Sequence, residues 1–407
     1  MSRSIARPVL AGLAAALLTG ATGPAVAASA ALRMAPACAT PLAPARPVEA
    51  TPWPQQRYEP ARLAPLTTGA GVTVAVVDSG VDRAHPQLTG RVLAGADLLD
   101  PGGDGGRDCA GHGTGVASII AAVPRPGVAF HGLAPAARIL PIRVSEQQVV
   151  QGRESGRTVS ADEFARAIRW AVDHDADVVN FSVVLYADDP EVRSAVRYAV
   201  ERDVVLVAAV GNLHDSGDPI PFPAAYDGVL GVGAIGVDGA RAAFSQTGSY
   251  VDLVAPGSAV LVAAPAQGHQ QVEGTSYAVP FVAATAALLR AYRPELTATE
   301  VAERIVATVD PAPGTGHGGG YGAGVLNPYR AVTETGGGLP AGPQPVAALV
   351  DDRPDPALLA RQARRATARD RALVAGAVIG VTAAAVVLLA LVLPRGARRR
   401  WRPAEPA

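Results

Sequence analysis

The sequence has 407 residues, 49% of them hydrophobic, and a formal net charge of −1. That length allows one large domain with appendages at its ends. The near-zero charge excludes a polyanion-binding surface as the main business of the chain, so no nucleic acid partner is expected. All 35 basic residues are arginine, which points to a GC-rich coding sequence rather than a binding role.

The first thirty residues read as a secretory signal. Arg3 and Arg7 precede an apolar core from Val9 to Leu18, and small residues follow at Ala25-Val26-Ala27 and Ala28-Ser29-Ala30. This is the A-x-A layout of a cleaved peptide, and the apolar core is too short to serve as an anchor. Residues 31–70 form a proline-rich N-terminal extension. Pro36, Pro41, Pro44, Pro47, Pro52, Pro54 and Pro60 stand there without helical or strand period, which predicts an extended, irregular arm retained on the surface of the next domain. A short cleaved propeptide is the alternative.

From Gly71 the pattern changes to short apolar runs alternating with amphipathic segments. Strands are predicted at 72–77, 139–144, 177–183, 204–209 and 229–235, and helices at 162–174 and 190–202. Strands apolar throughout, alternating with helices, predict an α/β fold whose mainly parallel sheet is covered on both faces. Such sheets place their sites at the carboxyl ends of strands, where Asp78 and Asn212 both fall. The polar stretch 145–160 is predicted as an exposed insertion. The domain is bounded at residues 71–334.

Three short segments carry candidate chemistry. Asp78 closes the run 72–77 and enters Asp78-Ser79-Gly80; His112 lies in Gly111-His112-Gly113-Thr114-Gly115; Ser276 lies in Gly274-Thr275-Ser276-Tyr277-Ala278-Val279-Pro280, where a glycine turn meets an apolar helix. A serine hydroxyl becomes a useful nucleophile only when a base takes its proton and a third group orients that base. Taken singly, each residue is better explained as turn or capping chemistry. Together they supply hydroxyl, imidazole and carboxylate. His85, His131, His174, His214, His269 and His317 are expected to be structural or surface residues.

Export places the two cysteines, Cys38 and Cys109, in an oxidising compartment where one intramolecular pairing is possible. A bridge ties the arm beside His112; two free thiols are the alternative. No Cys/His spacing suits a metal, no acidic loop suits calcium, and no cofactor is expected. Beyond the domain, 335–371 is rich in Gly and Pro, then Arg and Ala, and reads as a linker. Residues 372–393 carry no charge, and at about 1.5 Å per residue they reach about 33 Å, enough to cross a bilayer. Arginines lie both before the span (Arg361, Arg364, Arg365, Arg369, Arg371) and in the tail 394–407, so charge bias alone is ambiguous; the export signal decides it, leaving a single-pass protein with its domain outward and its tail in the cytoplasm.

The ordered set Asp78, His112, Ser276 resembles the subtilisin-like serine proteases across about residues 71–334. Other segments fit the same family: Gly132-Leu133-Ala134-Pro135, Ala208-Ala209-Val210-Gly211-Asn212, Phe244-Ser245, Ala255-Pro256-Gly257 and Gly320-Tyr321-Gly322-Ala323-Gly324. Within the family the flanks resemble the mycosins, membrane-anchored proteases of type VII secretion. The features are Pro52-Trp53-Pro54-Gln55-Gln56, Asp108-Cys109 before His112, and the C-terminal anchor. The resemblance implies the family's three-layer fold, with Ser276 as nucleophile, His112 as general base, Asp78 as its orienting carboxylate and Asn212 as oxyanion donor. It implies protein or peptide substrates and membrane components of the secretion system as partners.

One departure stands out. The family's substrate-binding strand commonly reads Ser-x-Gly, but here it reads Ser182-Val183-Val184. The added bulk predicts narrow peptidase activity favouring small residues before the cut. A mainly structural role in a secretion complex, with proteolysis secondary, fits the anchor and this strand equally.

Overall fold

The computed structural model describes residues 48–150, 153–312 and 320–334. Strands β1 (Thr73–Asp78), β2 (Ala96–Asp97) and β3 (Arg138–Arg143) belong to the main sheet. So do β6 (Val178–Phe181), β7 (Val205–Ala209), β8 (Val229–Ile235) and β9 (Leu253–Pro256). They form one seven-stranded sheet in the order β2-β3-β1-β6-β7-β8-β9. Every pairing in it is parallel.

Two faces of this sheet are buried, and the sequence shows why. Along β1, Val74 and Val76 join one apolar cluster while Ala75 and Val77 join the other, because successive side chains of a strand point to opposite faces. The first cluster lies under α3 (His112–Ala121) and α6 (Val279–Tyr292), together with α7 (Ala298–Ala307) and α8 (Pro328–Thr333). The second lies under α4 (Ala161–Asp173) and α5 (Pro190–Val200). The expected three-layer α/β architecture is therefore present. A capping box at Ser160 and Glu163 starts α4, and the Asp189 side chain caps α5 above Pro190. In α6, eleven of its residues are buried from Val279 to Leu289, so this helix is the central rod of its layer.

Two sequence expectations need correction. The arm is not wholly irregular: α1 (Trp53–Tyr58) and α2 (Pro60–Leu63) are helical, with prolines in their first turns. A first-turn residue has no intrahelical acceptor for its N–H, so proline there costs little. The arm is also built into the domain. Trp53 Nε1 donates to the carbonyls of Ser258 and Ala259 at 3.3 and 3.1 Å, Gln55 Nε2 donates to the His131 carbonyl at 2.9 Å, and Tyr58 packs edge-on against Phe281.

The stretch 145–160 is not a plain exposed loop either. Strands β4 (Gln148–Val150) and β5 (Arg153–Ser155) pair as an antiparallel hairpin. Its base is pinned by charge. Arg143, only 5% exposed at its side chain, donates to Asp97 at 2.6 Å and pairs with the buried Glu146, which also accepts from Arg157 Nε at 2.7 Å. A buried guanidinium is held by three carboxylates because its charge cannot be left unpaired away from water.

Cys109 is buried, and there is no free cysteine among the described residues; Cys38 lies outside them. No helix of the described residues is long and apolar enough to cross a membrane. The predicted signal peptide, the linker 335–371, the span 372–393 and the tail 394–407 all lie outside the described residues.

Candidate active site

Asp78 ends β1, Phe181 ends β6 and Ala209 ends β7, three strands adjacent in the sheet, so Asp78, Ser182 and Asn212 leave the same sheet edge together. The chain from Thr275 to Tyr277 forms a 3-10 turn that leads into α6, and this turn carries Ser276. Helix α3 opens with His112. A side chain at Gly113 would put its Cβ 2.1 Å from the Gly80 carbonyl, so only glycine lets α3 approach β1 closely enough to bring the imidazole to Asp78.

The result is one continuous hydrogen-bond chain. His112 Nδ1 stands 2.7 and 2.9 Å from the two oxygens of Asp78, and His112 Nε2 stands 2.9 Å from Ser276 Oγ. An ionised carboxylate only accepts, so the proton is assigned to Nδ1 and the Nε2 lone pair faces the serine hydroxyl. Asp78 is almost completely buried and also accepts the Ser79 N–H at 2.6 Å, whereas the His112 side chain remains 29% exposed. Burial works against a charged imidazole, but the charge and hydrogen bond of Asp78, with Asp108 behind it, outweigh this and hold the His112 pKa above its ordinary value.

Asn212 sits beside this chain with its orientation fixed. Its Oδ1 accepts from both the backbone N–H and the hydroxyl of Thr275, at 2.9 Å each, and Thr275 Oγ1 in turn accepts the Gly211 N–H at 3.2 Å. With Oδ1 held, Nδ2 is the end left toward the serine. A Cβ built on Gly274 would lie 3.1 Å from Ser276 Oγ and 3.5 Å from Asn212 Nδ2. Gly274 therefore leaves an open space flanked by a hydroxyl and an amide donor. An arrangement of this kind can move a proton from hydroxyl to imidazole and offer hydrogen bonds to an oxygen that becomes negative.

Ser182 opens the segment expected beside a substrate, directly after β6. Its hydroxyl is committed to the carbonyl of Ser276 at 3.1 Å rather than turned to a ligand. Val183 and Val184 are half-buried, packed against the α4–α5 and the α3–α6 layers respectively. Leu185 then exchanges backbone hydrogen bonds with Phe222 at 2.8 Å, which anchors the far end of this segment.

Sequence reasoning missed two further residues. Asp108 is buried and accepts five hydrogen bonds, from Ser79 Oγ, the N–H groups of Ala110 and Gly111, and both the N–H and hydroxyl of Thr114. It satisfies the amino end of α3, a task that the N-cap residue Gly111 has no side chain to perform. Burial raises the Asp108 pKa despite the Thr114 and Gly111 bonds, and the nearby Asp78 charge adds to this. Tyr277 lays its ring 4.9 Å from that of His112. Asp108 was singled out in the sequence only as part of Asp108-Cys109 before His112, with no role of its own. Of the other histidines, His85 and His269 are buried in structural hydrogen bonds, with His85 accepting the Gln87 N–H, and burial lowers the His85 pKa.

The described fold matches known proteins. Residues 69–324 match the subtilase family model. The chain is 36% identical to Mycosin-4 of Mycobacterium tuberculosis over 379 residues, covering 83% of this chain and 80% of that protein. It is also 36% identical to a thermophilic serine proteinase of Bacillus sp. strain AK1 over 281 residues, covering 69% of this chain and 66% of the relative. Among solved structures, MycP1 from Mycobacterium smegmatis superposes with a TM-score of 0.63 at 30% identity, covering 78% of this chain and 93% of that one. A second solved structure, with a TM-score of 0.61 at 31% identity, is described as a serine protease MycP1 that is an essential component of the type VII (ESX-1) secretion system; the match covers 72% of this chain and 91% of that one.

Proposed function

This chain belongs to the subtilase family and is related to the mycosins, and we propose that it is a membrane-anchored serine endopeptidase acting on exported proteins beside a type VII secretion complex. In this reading Ser276 attacks the scissile carbonyl while His112 takes the hydroxyl proton and later returns it to the leaving amine. Asp78 holds the imidazole in the required tautomer and favours its charged form. Asn212 Nδ2 and the Ser276 N–H receive the developing oxyanion, since the Gly274 and Thr275 N–H groups already donate to the Gly257 carbonyl and to Asn212 Oδ1. The observation that carries the reading is the unbroken chain Asp78–His112–Ser276, every link of which lies between 2.7 and 2.9 Å.

The anchor at 372–393, the signal at 1–30 and a Cys38–Cys109 bridge belong to the same proposal. The bridge is supported by the burial of Cys109, the lack of a free cysteine among the described residues and the presence of only two cysteines in the sequence. Val183 and Val184 underlie the proposal of narrow specificity, since two packed valines leave less room beside the cleft than a glycine would. A second role, as a stabilising part of the secretion complex, is favoured by the description of the MycP1 relative as an essential component of its system.

The experiment that separates the two is complementation of a deletion strain. Proteolysis of exported proteins is expected to vanish with Ser276→Ala. Export restored by that variant supports the structural role, whereas export restored only by wild-type protein removes it. Unchanged cleavage in the Ser276→Ala strain refutes the enzymatic reading.

A further inference from the structure

A second set of polar groups reaches the Ser276 turn from β6 and the residue just beyond it, and nothing in the reaction as described uses it. Strand β6 is apolar except for Asn180, which is fully buried between β1 and β7, paired with Val76 on one side and Val207 on the other. An amide in the middle of a covered parallel sheet weakens the fold unless its polar atoms are satisfied. Here they are only half satisfied. Asn180 Nδ2 donates to Ser182 Oγ at 2.8 Å, while Asn180 Oδ1 is buried with no hydrogen-bond partner. Ser182 Oγ, itself buried, passes its single proton on to the carbonyl of Ser276 at 3.1 Å.

The direction of this relay is fixed by counting donors. The Ser276 carbonyl can only accept, so the Ser182 hydroxyl donates to it and must accept from Asn180, which places the amide nitrogen toward Ser182. Alternation along the strand agrees. Val178 belongs to the layer under α3 and α6, so Asn180 and Ser182, two and four residues on, face that same layer, where the Ser276 turn meets α6.

We infer that Asn180 and Ser182 are positioning residues for Ser276, a hydrogen-bond relay from the centre of the sheet that holds the carbonyl of the turn and thereby sets where its hydroxyl stands relative to His112. Neither residue touches the reacting atoms. The relay also joins the chain that leads into Val183 and Val184 to the turn bearing the hydroxyl, so a displacement of that segment is passed to the attacking atom. The inference rests on the reading of Ser276 as nucleophile.

The test is a double-mutant cycle on the full chain, using Asn180→Val and Ser182→Ala, read by the second-order rate of fluorophosphonate labelling, by kcat and KM on a short peptide ester, and by Tm. Each single variant is expected to slow labelling and kcat about ten-fold with KM little changed, because a small misplacement of the attacking atom is felt in the transition state. The double variant is expected to be no slower than the slower single one, since both break the same relay; independent effects would multiply to about a hundred-fold. Ser182→Thr keeps a hydroxyl and is expected to restore the rate.

Asn180→Val is the sharper member of the pair. It removes a buried polar atom that has no partner and installs a good strand former, so its Tm is expected to hold or rise while its rate falls. A merely structural asparagine would give the reverse, a lower Tm with the rate intact, and that result overturns the inference. Multiplicative losses in the double variant, or no rescue by Ser182→Thr, overturn it as well. Wild-type protein that fails to label at all would instead count against the nucleophile itself, so the two failures are distinguishable.

Discussion

Gly274→Ala separates the cost of backbone strain from the cost to chemistry. Gly274 has φ 146° and ψ 151°, a region that residues bearing a Cβ avoid. Its N–H donates to the Gly257 carbonyl at 2.8 Å, so the backbone is tied and does not simply swing to a relaxed conformation. Holding alanine there costs about 1–3 kcal/mol. For a domain of this size about 2–4 °C of Tm is lost per kcal/mol, so Tm should fall by roughly 2–12 °C. The chemical loss is separate. The new methyl stands 3.1 Å from Ser276 Oγ and 3.5 Å from Asn212 Nδ2, in the space where the oxyanion would form. Excluding an oxygen from a preorganised donor costs about a hundred-fold in rate or more. The assay is fluorophosphonate labelling at a temperature well below either Tm, with folding followed by calorimetry. A variant that labels within about three-fold of wild type, whatever its Tm, refutes the assignment of this space to the oxyanion, because strain alone leaves the rate of the folded fraction unchanged.

Three further outcomes are expected. His112 must be neutral to take the serine proton, and Asp78 raises its pKa, so kcat/KM should climb through an apparent pKa above the ordinary 6.5; Asp78→Asn should move that limb downward, and a pH–rate profile checks both. The sign for stability is opposite: a raised folded pKa contributes stability below the unfolded value and loses it as pH rises through the folded one. Arg143→Met should cost about 3–5 kcal/mol in denaturant unfolding by leaving the nearly buried carboxylate of Asp97 without its cation and the buried Glu146 with Arg157 alone, whereas Arg157→Met, at a half-exposed guanidinium, should cost about 1 kcal/mol or less. Val184→Gly should widen a peptide-library profile toward larger residues before the cut, and efficient wild-type cleavage after Phe or Leu would contradict the narrow pocket.

What the sequence disclosed follows from the range of the forces involved. Asp78, Asn212 and Ser276 each sit at a strand end or glycine turn that local backbone chemistry alone explains, and only the ordered set and its resemblance to a family gave them roles. The apolar run of β1 and the helical spacing of α4 are likewise short-range. Asp108, Thr275 and Asn180 were not legible as functional residues, because their partners lie on other elements and only the fold brings them together. The irregular arm failed for a different reason. Proline density argues against helix interiors but says little about two helices of six and four residues that carry their prolines in the first turn. The insertion is exposed along most of its described length, as its polar composition implies; what composition did not reveal is its hairpin and the mutual pairing of Arg143, Glu146 and Arg157 at its base.

The central claim is that Ser276 is a nucleophile activated by His112 within the chain anchored on Asp78. Intact-mass and peptide-level mass spectrometry after treatment with a fluorophosphonate tests it most directly. A single adduct on the peptide containing Ser276, lost in Ser276→Ala and slowed by several orders of magnitude in His112→Ala, is the result expected. An adduct on another serine, or equal labelling of the His112→Ala protein, would contradict the account.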